Sequence, residues 1–225
     1  MTRVLVVDDQ DLIRAGLAAI LRATPGFTSV WETADGETAV TLAMEHRPDV
    51  ILMDIRLPGI NGITTTERIL AQYTSPTPKI IVLTTFDTDE YVYGALRAGA
   101  CGFLLKDIPP ARLIAAISTI RSGDMLFAPS VTRRLIEAYA PQPSETAHRP
   151  ESLHQLTARE TEVLRLVGQG LANDEIAQEL YVSEATVKTH INRTMAKLDL
   201  RSRAQAVVTA YETGLVVPRG TRGTR

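Results

Sequence analysis

Four short apolar runs punctuate the first half of the chain: VLVV (4–7), VILM (50–53), IIVL (80–83) and GFLL (102–105), with a weaker candidate near 27–33. They are continuous rather than alternating, which suits strands buried on both faces of a parallel sheet. The segments between them carry helix periodicity. Ile13, Gly16, Leu17, Ile20 and Leu21 follow the i, i+3, i+4, i+7, i+8 spacing of one helix face. Leu113, Ile117 and Ile120 repeat it behind Pro109 and Pro110, residues tolerated at a helix start. Five strand–helix units within residues 1–121 predict a doubly wound α/β domain around a five-stranded parallel sheet.

Beyond residue 121 the texture changes. Residues 122–152 read as a linker: APQPSETAHRPES (140–152) is rich in Pro, Ser and Thr, and SVTRRLIEAY (130–139) ahead of it has the pattern of a short helix. Residues 153–217 read as a small all-α domain. Thr157 and Glu160 have capping-box spacing ahead of Val163, Leu164, Leu166 and Val167, and Gly168 and Gly170 stop that helix. Ile176, Ala177 and Leu180 supply the inner side of a second helix. Ser183 is an N-cap for a third, with an inner stripe of Val187, Ile191, Thr194, Met195 and Leu198. A fourth runs from about Ser202 to Thr213 and ends at Gly214, and the tail 218–225 is expected to be disordered. Helix, short turn and helix over 171–198 make a helix-turn-helix.

Composition narrows the class. Hydrophobic content of 44% and charged content of 22% are those of a soluble globular protein. No apolar run approaches the roughly 20 residues needed to span a bilayer, so no membrane association is expected. The N-terminus lacks the apolar core of a secretory leader. The single Cys101 excludes an internal disulfide framework and any paired-cysteine metal knuckle. Together these predict a cytoplasmic protein. Overall charge is nearly balanced, but between Lys188 and Arg203 five basic residues (Lys188, Arg193, Lys197, Arg201, Arg203) face one acid, Asp199. Positive charge is thus concentrated near the C-terminus.

In an open parallel sheet, chemistry collects at the carboxyl ends of the strands. Asp8 and Asp9 follow the first run, Asp54 the third, Thr84 and Thr85 the fourth, and Lys106 the fifth. Clustered carboxylates repel one another unless a cation compensates. With oxygen donors and no His or Cys nearby, the ion that suits them is Mg²⁺ or Mn²⁺. One carboxylate free to act as nucleophile, beside a divalent ion, a hydroxyl and a lysine, is a phosphoryl acceptor. A Mg²⁺-dependent phosphatase or hydrolase would draw on the same groups, and a protein-interaction module without DNA binding remains a further alternative.

The segments VLVVDDQDLIRAGL, MDIRLPGINGI, VLTTFD and AGACGFLLKD resemble the receiver domain of two-component response regulators over residues 1–121. The resemblance implies a flavodoxin-like fold and phosphoryl transfer from a sensor histidine kinase to Asp54. It implies Mg²⁺ held by Asp9, Asp54 and the backbone carbonyl of Arg56, with Asp8 assisting. It further implies that Thr84 and Lys106 engage the phosphoryl oxygens and that Phe103 is a rotating aromatic switch. Gln10 would tune dephosphorylation.

The third helix of the C-terminal section, projected at about 100° per residue, turns Ala185, Thr189, Asn192 and Ala196 outward with Lys188 and Arg193 beside them. Small, amide and basic side chains suit a major groove, and Thr186 in the first turn can offer its hydroxyl to a phosphate. The segment 156–208 is similar to the LuxR-type helix-turn-helix, so the whole chain resembles a response regulator of the NarL/FixJ family. That resemblance implies a transcription factor rather than an enzyme. Lys188, Thr189 and Asn192 would face bases, Arg193 would hold phosphates, and promoter DNA would be bound by a homodimer formed on phosphorylation through the last helix. His190 is expected to pack between helices rather than read bases.

Overall fold

A computed structural model of the chain describes residues 1–74, 76–84, 89–121 and 151–217. Two compact units emerge, Met1–Leu126 and Phe127–Arg225. The helix expected over 130–139, the linker up to residue 150, the tail 218–225 and Thr85 lie outside the described residues.

In the first unit the strands are β1 (Thr2–Val7), β2 (Phe27–Thr33), β3 (Val50–Asp54), β4 (Lys79–Thr84) and β5 (Gly102–Leu105). They form one sheet in the order β2-β1-β3-β4-β5, and every neighbouring pair is parallel. Between and after them run α1 (Asp11–Ala23), α2 (Gly36–His46), α3 (Gly62–Gln72), α4 (Asp89–Ala98) and α5 (Pro110–Arg121). Alternation along the strands divides the apolar runs between two cores. Val4, Val6, Val50, Leu52, Ile81 and Leu83 pack with Leu17 and Leu21 of α1 and Leu113, Ile117 and Ile120 of α5. Leu5, Val7, Ile51, Met53 and Ile80 pack with Ala39 and Ala43 of α2 and Ile69 and Leu70 of α3. Each Val, Leu, Ile or Met among them, fully buried, contributes roughly 1.5–3 kcal/mol. Both faces are covered, which is why the runs do not alternate.

One position in α1 departs from expectation. Gly16 is exposed and Ala18 is buried in its place. The buried stripe is centred between Leu17, Ala18 and Leu21, and Gly16 lies about 140° from Leu21 around the axis.

The sheet order reverses at β1, whose neighbours are β2 and β3, so a crevice opens beyond the carboxyl ends of β1 and β3. The start of α3 is pressed against that end of β3. The Gly62 amide donates to the Ile55 carbonyl at 2.9 Å, and a Cβ on Gly62 would land on the Asp54 carbonyl oxygen. Only glycine permits so close an approach.

The second unit has a 3₁₀ turn (Glu151–Gln155) followed by α6 (Ala158–Gly168), α7 (Asn173–Leu180), α8 (Glu184–Lys197) and α9 (Arg203–Glu212). The capping box forms: the Thr157 amide donates to Glu160 Oε2 at 2.8 Å, and the Glu160 amide to Thr157 Oγ1 at 3.3 Å. Val163, Leu164, Leu166, Val167, Ile176, Ala177, Leu180, Val187, Ile191 and Thr194 are buried as the periodicity predicts. Ser183 and Ser202 cap α8 and α9 through the amides of Thr186 and Gln205. Gly168 lets α6 approach α9 closely, since a Cβ there would sit 2.6 Å from that of Ala210. Among the described residues no helix is long and apolar enough to cross a membrane.

Candidate functional site

Three strand ends converge on one buried cluster. Asp54 closes β3 at 3% exposure, Asp8 follows β1 and is fully buried, and Lys106 follows β5. The Lys106 ammonium donates to Asp54 Oδ2 at 2.7 Å. It also lies 2.9 Å from Asp8 Oδ2, but off the hydrogen-bonding direction, so that buried oxygen accepts no hydrogen bond. The other carboxylate oxygens are held by backbone: Gln10 N donates to Asp8 Oδ1 at 2.9 Å and Arg56 N to Asp54 Oδ1 at 3.3 Å. Asp9 is exposed, and one oxygen from each of Asp8, Asp9 and Asp54 lies within 4.8 Å of the others. Thr84 is buried at the end of β4, one position past Leu83, the register partner of Asp54, and its carbonyl accepts from Lys106 N at 3.0 Å.

The charges explain the titration of the cluster. Burial pushes the Asp54 carboxyl above its usual range, and the Asp8 charge adds to this against the pull of Lys106. Burial works against the Lys106 charge, but the bond to Asp54 and the attraction of Asp54 and Asp8 outweigh it and hold that ammonium above its ordinary value. Three carboxylates stand beside one cation, leaving an excess of negative charge, and Asp8 Oδ2 is buried without a hydrogen bond. An oxygen-only donor set of this kind fits a hard divalent ion, Mg²⁺ or Mn²⁺.

Phe103 on β5 is half-buried beside Ile55, Val82, Ala95, Ala100 and Ile63. Two supporting residues escaped the sequence reading. The Arg14 guanidinium donates to the Asp8 carbonyl at 2.8 Å while pairing with Asp11 at 2.5 Å, tying α1 to the end of β1. Gly62 clears the space behind Asp54. The i,i+3 spacing of Asp11 and Arg14 was the available signal for the first.

In the second unit, α8 exposes Ala185, Lys188, Thr189, Asn192, Arg193 and Ala196 along one side. Thr186 is half-buried with its hydroxyl 2.9 Å from that of Ser183, so it takes part in the cap. The basic cluster is less uniform than the sequence suggests. Lys197 is held by Glu160 at 2.6 Å, Arg201 by Asp199 at 2.9 Å, and Arg203 by Asn173 and the Leu171 carbonyl. Lys188 and Arg193 are exposed cations with no ion pair among the described residues. The Lys197 ammonium, together with Thr157, holds the Glu160 carboxyl down to about 2. His190 is half-buried, with Nδ1 enclosed.

Comparison with known proteins agrees with both halves. Residues 4–118 match the family model of the response regulator receiver domain, and residues 154–210 that of bacterial regulatory proteins of the luxR family. The chain is 42% identical over 214 residues to the uncharacterized transcriptional regulatory protein YxjL of Bacillus subtilis, covering 95% of this chain and 97% of that one. It is 34% identical to the nitrate/nitrite response regulator protein NarL of Escherichia coli, over 93% and 94% of the two chains. Among solved structures, the RcsB response regulator of Salmonella typhimurium matches with a TM-score of 0.53 and 25% identity, over 92% of this chain and 98% of that one.

Proposed function

Because this chain belongs to the NarL/FixJ-type response regulators, which join a receiver domain to a LuxR-type DNA-binding domain, we propose that Asp54 is its phosphoryl acceptor and that α8 is the groove-reading helix it controls. The observation that carries the assignment is the triad of Asp54, Asp8 and Lys106 at the switch point of the sheet. Asp54 presents a carboxylate whose other oxygen is held by the Arg56 amide. It attacks the phosphorus of a phosphohistidine on a sensor kinase; an O–P bond forms, the N–P bond breaks, and the imidazole leaves with its electron pair. Lys106 and Thr84 receive the phosphoryl oxygens. Asp8, Asp9, Asp54 and the Arg56 carbonyl would hold Mg²⁺, which neutralises charge on the phosphoryl group. Phe103 repacks within its small apolar cluster as Thr84 moves.

The added charge of nearly −2 biases a two-state equilibrium toward a dimer. Two copies of α8 then address half-sites about one DNA turn apart, with Lys188, Thr189 and Asn192 toward the bases and Arg193 and Thr186 toward phosphates. Kinase and promoter meet in the cytoplasm, where we place the protein. With a small phosphodonor and Mg²⁺, the native chain is expected to take up one phosphoryl group, measured by intact mass, and Asp54→Asn none. Full labelling of that variant would mean that another carboxylate is the acceptor.

A further inference from the structure

We infer that Arg14 is a positioning residue for the divalent ion: its guanidinium fixes the peptide between Asp8 and Asp9 and so sets where the two carboxylates stand. The inference rests on the reading of Asp8, Asp9 and Asp54 as the ion's donors and deepens it. Asp9 is the exposed member of that set, and its carboxylate has no hydrogen bond or ion pair among the described residues. Its place is therefore set by the backbone that carries it. Asp8, one residue earlier, is anchored through both backbone and side chain. Its amide donates to the Thr33 carbonyl at the end of β2 at 3.2 Å, and its Oδ1 accepts from Gln10 N at 2.9 Å. Its carbonyl oxygen, part of the peptide that joins it to Asp9, accepts from Arg14 Nη1 at 2.8 Å. Such a charge-assisted bond is roughly twice as strong as one between neutral groups, and turning the peptide would break it.

The other contacts of Arg14 suit this task better than that of a simple brace for α1. That helix is already fastened to the sheet by Leu17 and Leu21, buried in one of the two cores. A bare guanidinium beside a cation site would repel the ion. Here its charge is compensated: Nη2 pairs with Asp11 Oδ1 at 2.5 Å, and Nε lies 3.8 Å from Glu32 Oε2. The other Glu32 oxygen pairs with Arg22 at 2.8 Å. Two arginines and two carboxylates sum to no net charge, so the group lends geometry without opposing the ion. The Arg14 side chain is only 17% exposed, so packing holds the fork itself in place. A lysine, with a single nitrogen at its tip, cannot span the Asp8 carbonyl, Asp11 and Glu32 as the three guanidinium nitrogens do.

The experiment titrates the full-length chain with Mn²⁺ and counts the free ion by electron paramagnetic resonance. Arg14→Met is expected to bind Mn²⁺ about tenfold more weakly, the low end of what losing a group that orients a metal ligand costs. Arg14→Lys keeps the charge and much of the stem without the fork; it should bind as weakly, and it carries the test if Arg14→Met does not fold. With a small phosphodonor, the Mg²⁺ concentration that gives half-maximal labelling should rise by the same factor in both variants, while the rate at saturating Mg²⁺ stays near that of the native chain. A brace for α1 alone would leave the ion's affinity for the folded chain where it was. Native affinity in Arg14→Met, recovery of affinity in Arg14→Lys, or a fall in the saturating rate with unchanged half-saturation overturns the inference and leaves the donor set as read. A native chain that binds no Mn²⁺, or an Asp9→Asn variant that binds it as the native chain does, overturns the donor reading and this inference together.

Discussion

At the carboxyl ends of β1 and β3, Asp8 and Asp54 are both buried and share a single ammonium, that of Lys106. The folded pKa of Asp54 lies above its unfolded value, so its contribution to stability is favourable below the unfolded pKa and is lost as pH rises through the folded one. Burial and the neighbouring Asp8 thus disfavour the ionised form of Asp54, against the pull of Lys106. Asp54→Asn is expected to raise the melting temperature of metal-free protein at pH 7, and Mg²⁺ to stabilise the native chain more than the variant. Trp31, on β2 of the first unit and the chain's single tryptophan, reports that transition by fluorescence. A second residue-scale test is Gly62→Ala. Its Cβ would collide with the Asp54 carbonyl, and overpacking of this kind costs about 1–3 kcal/mol, read from denaturant unfolding. Asp8, Asp9, Asp54 and Lys106 were legible in the sequence because each follows or ends an apolar run. Gly62 was not, since a close approach of the start of α3 to the Asp54 carbonyl leaves no pattern, and the bond from Arg14 to the Asp8 backbone is equally silent.

Among the elements, the strands and most helices follow from periodicity and caps. Continuous apolar runs became strands with two covered faces, Thr157 and Ser183 became caps where their spacing placed them, and Ser202, where the fourth helix was expected to begin, caps it. Gly16 was misassigned because three- and four-residue spacing alone does not fix where the centre of a stripe falls. The basic run from Lys188 to Arg203 was only half legible: its partners Glu160, Leu171 and Asn173 lie far away in the sequence, on α6, in the turn after it and on α7, and long-range pairing is invisible to local charge counting. The bond from Lys197 to Glu160 fastens the end of α8 to the start of α6. Glu160 is depressed from 4.5 to about 2, so its stabilising contribution is present above pH 4.5 and is lost as pH falls toward 2. In the full chain, hydrogen exchange of peptides from α6 and α8 is expected to accelerate over that window, and Glu160→Gln to show a weaker dependence on pH. Equal dependence in both proteins would remove Glu160 from the account.

For the molecule as a whole, the proposed function requires that an anion at the end of β3 alter the availability of α8. No side-chain contact was legible in the sequence for this coupling, because it depends on the balance between two global states and not on local pattern. The most direct test loads the full chain with beryllofluoride and Mg²⁺, a stable mimic of the phosphoryl group on Asp54, and measures self-association and affinity for an operator selected from a random DNA pool in the same samples. The account predicts that both rise in the native chain, operator affinity by at least tenfold, and that neither changes in Asp54→Asn. Unchanged association and unchanged affinity in the loaded native chain would contradict it.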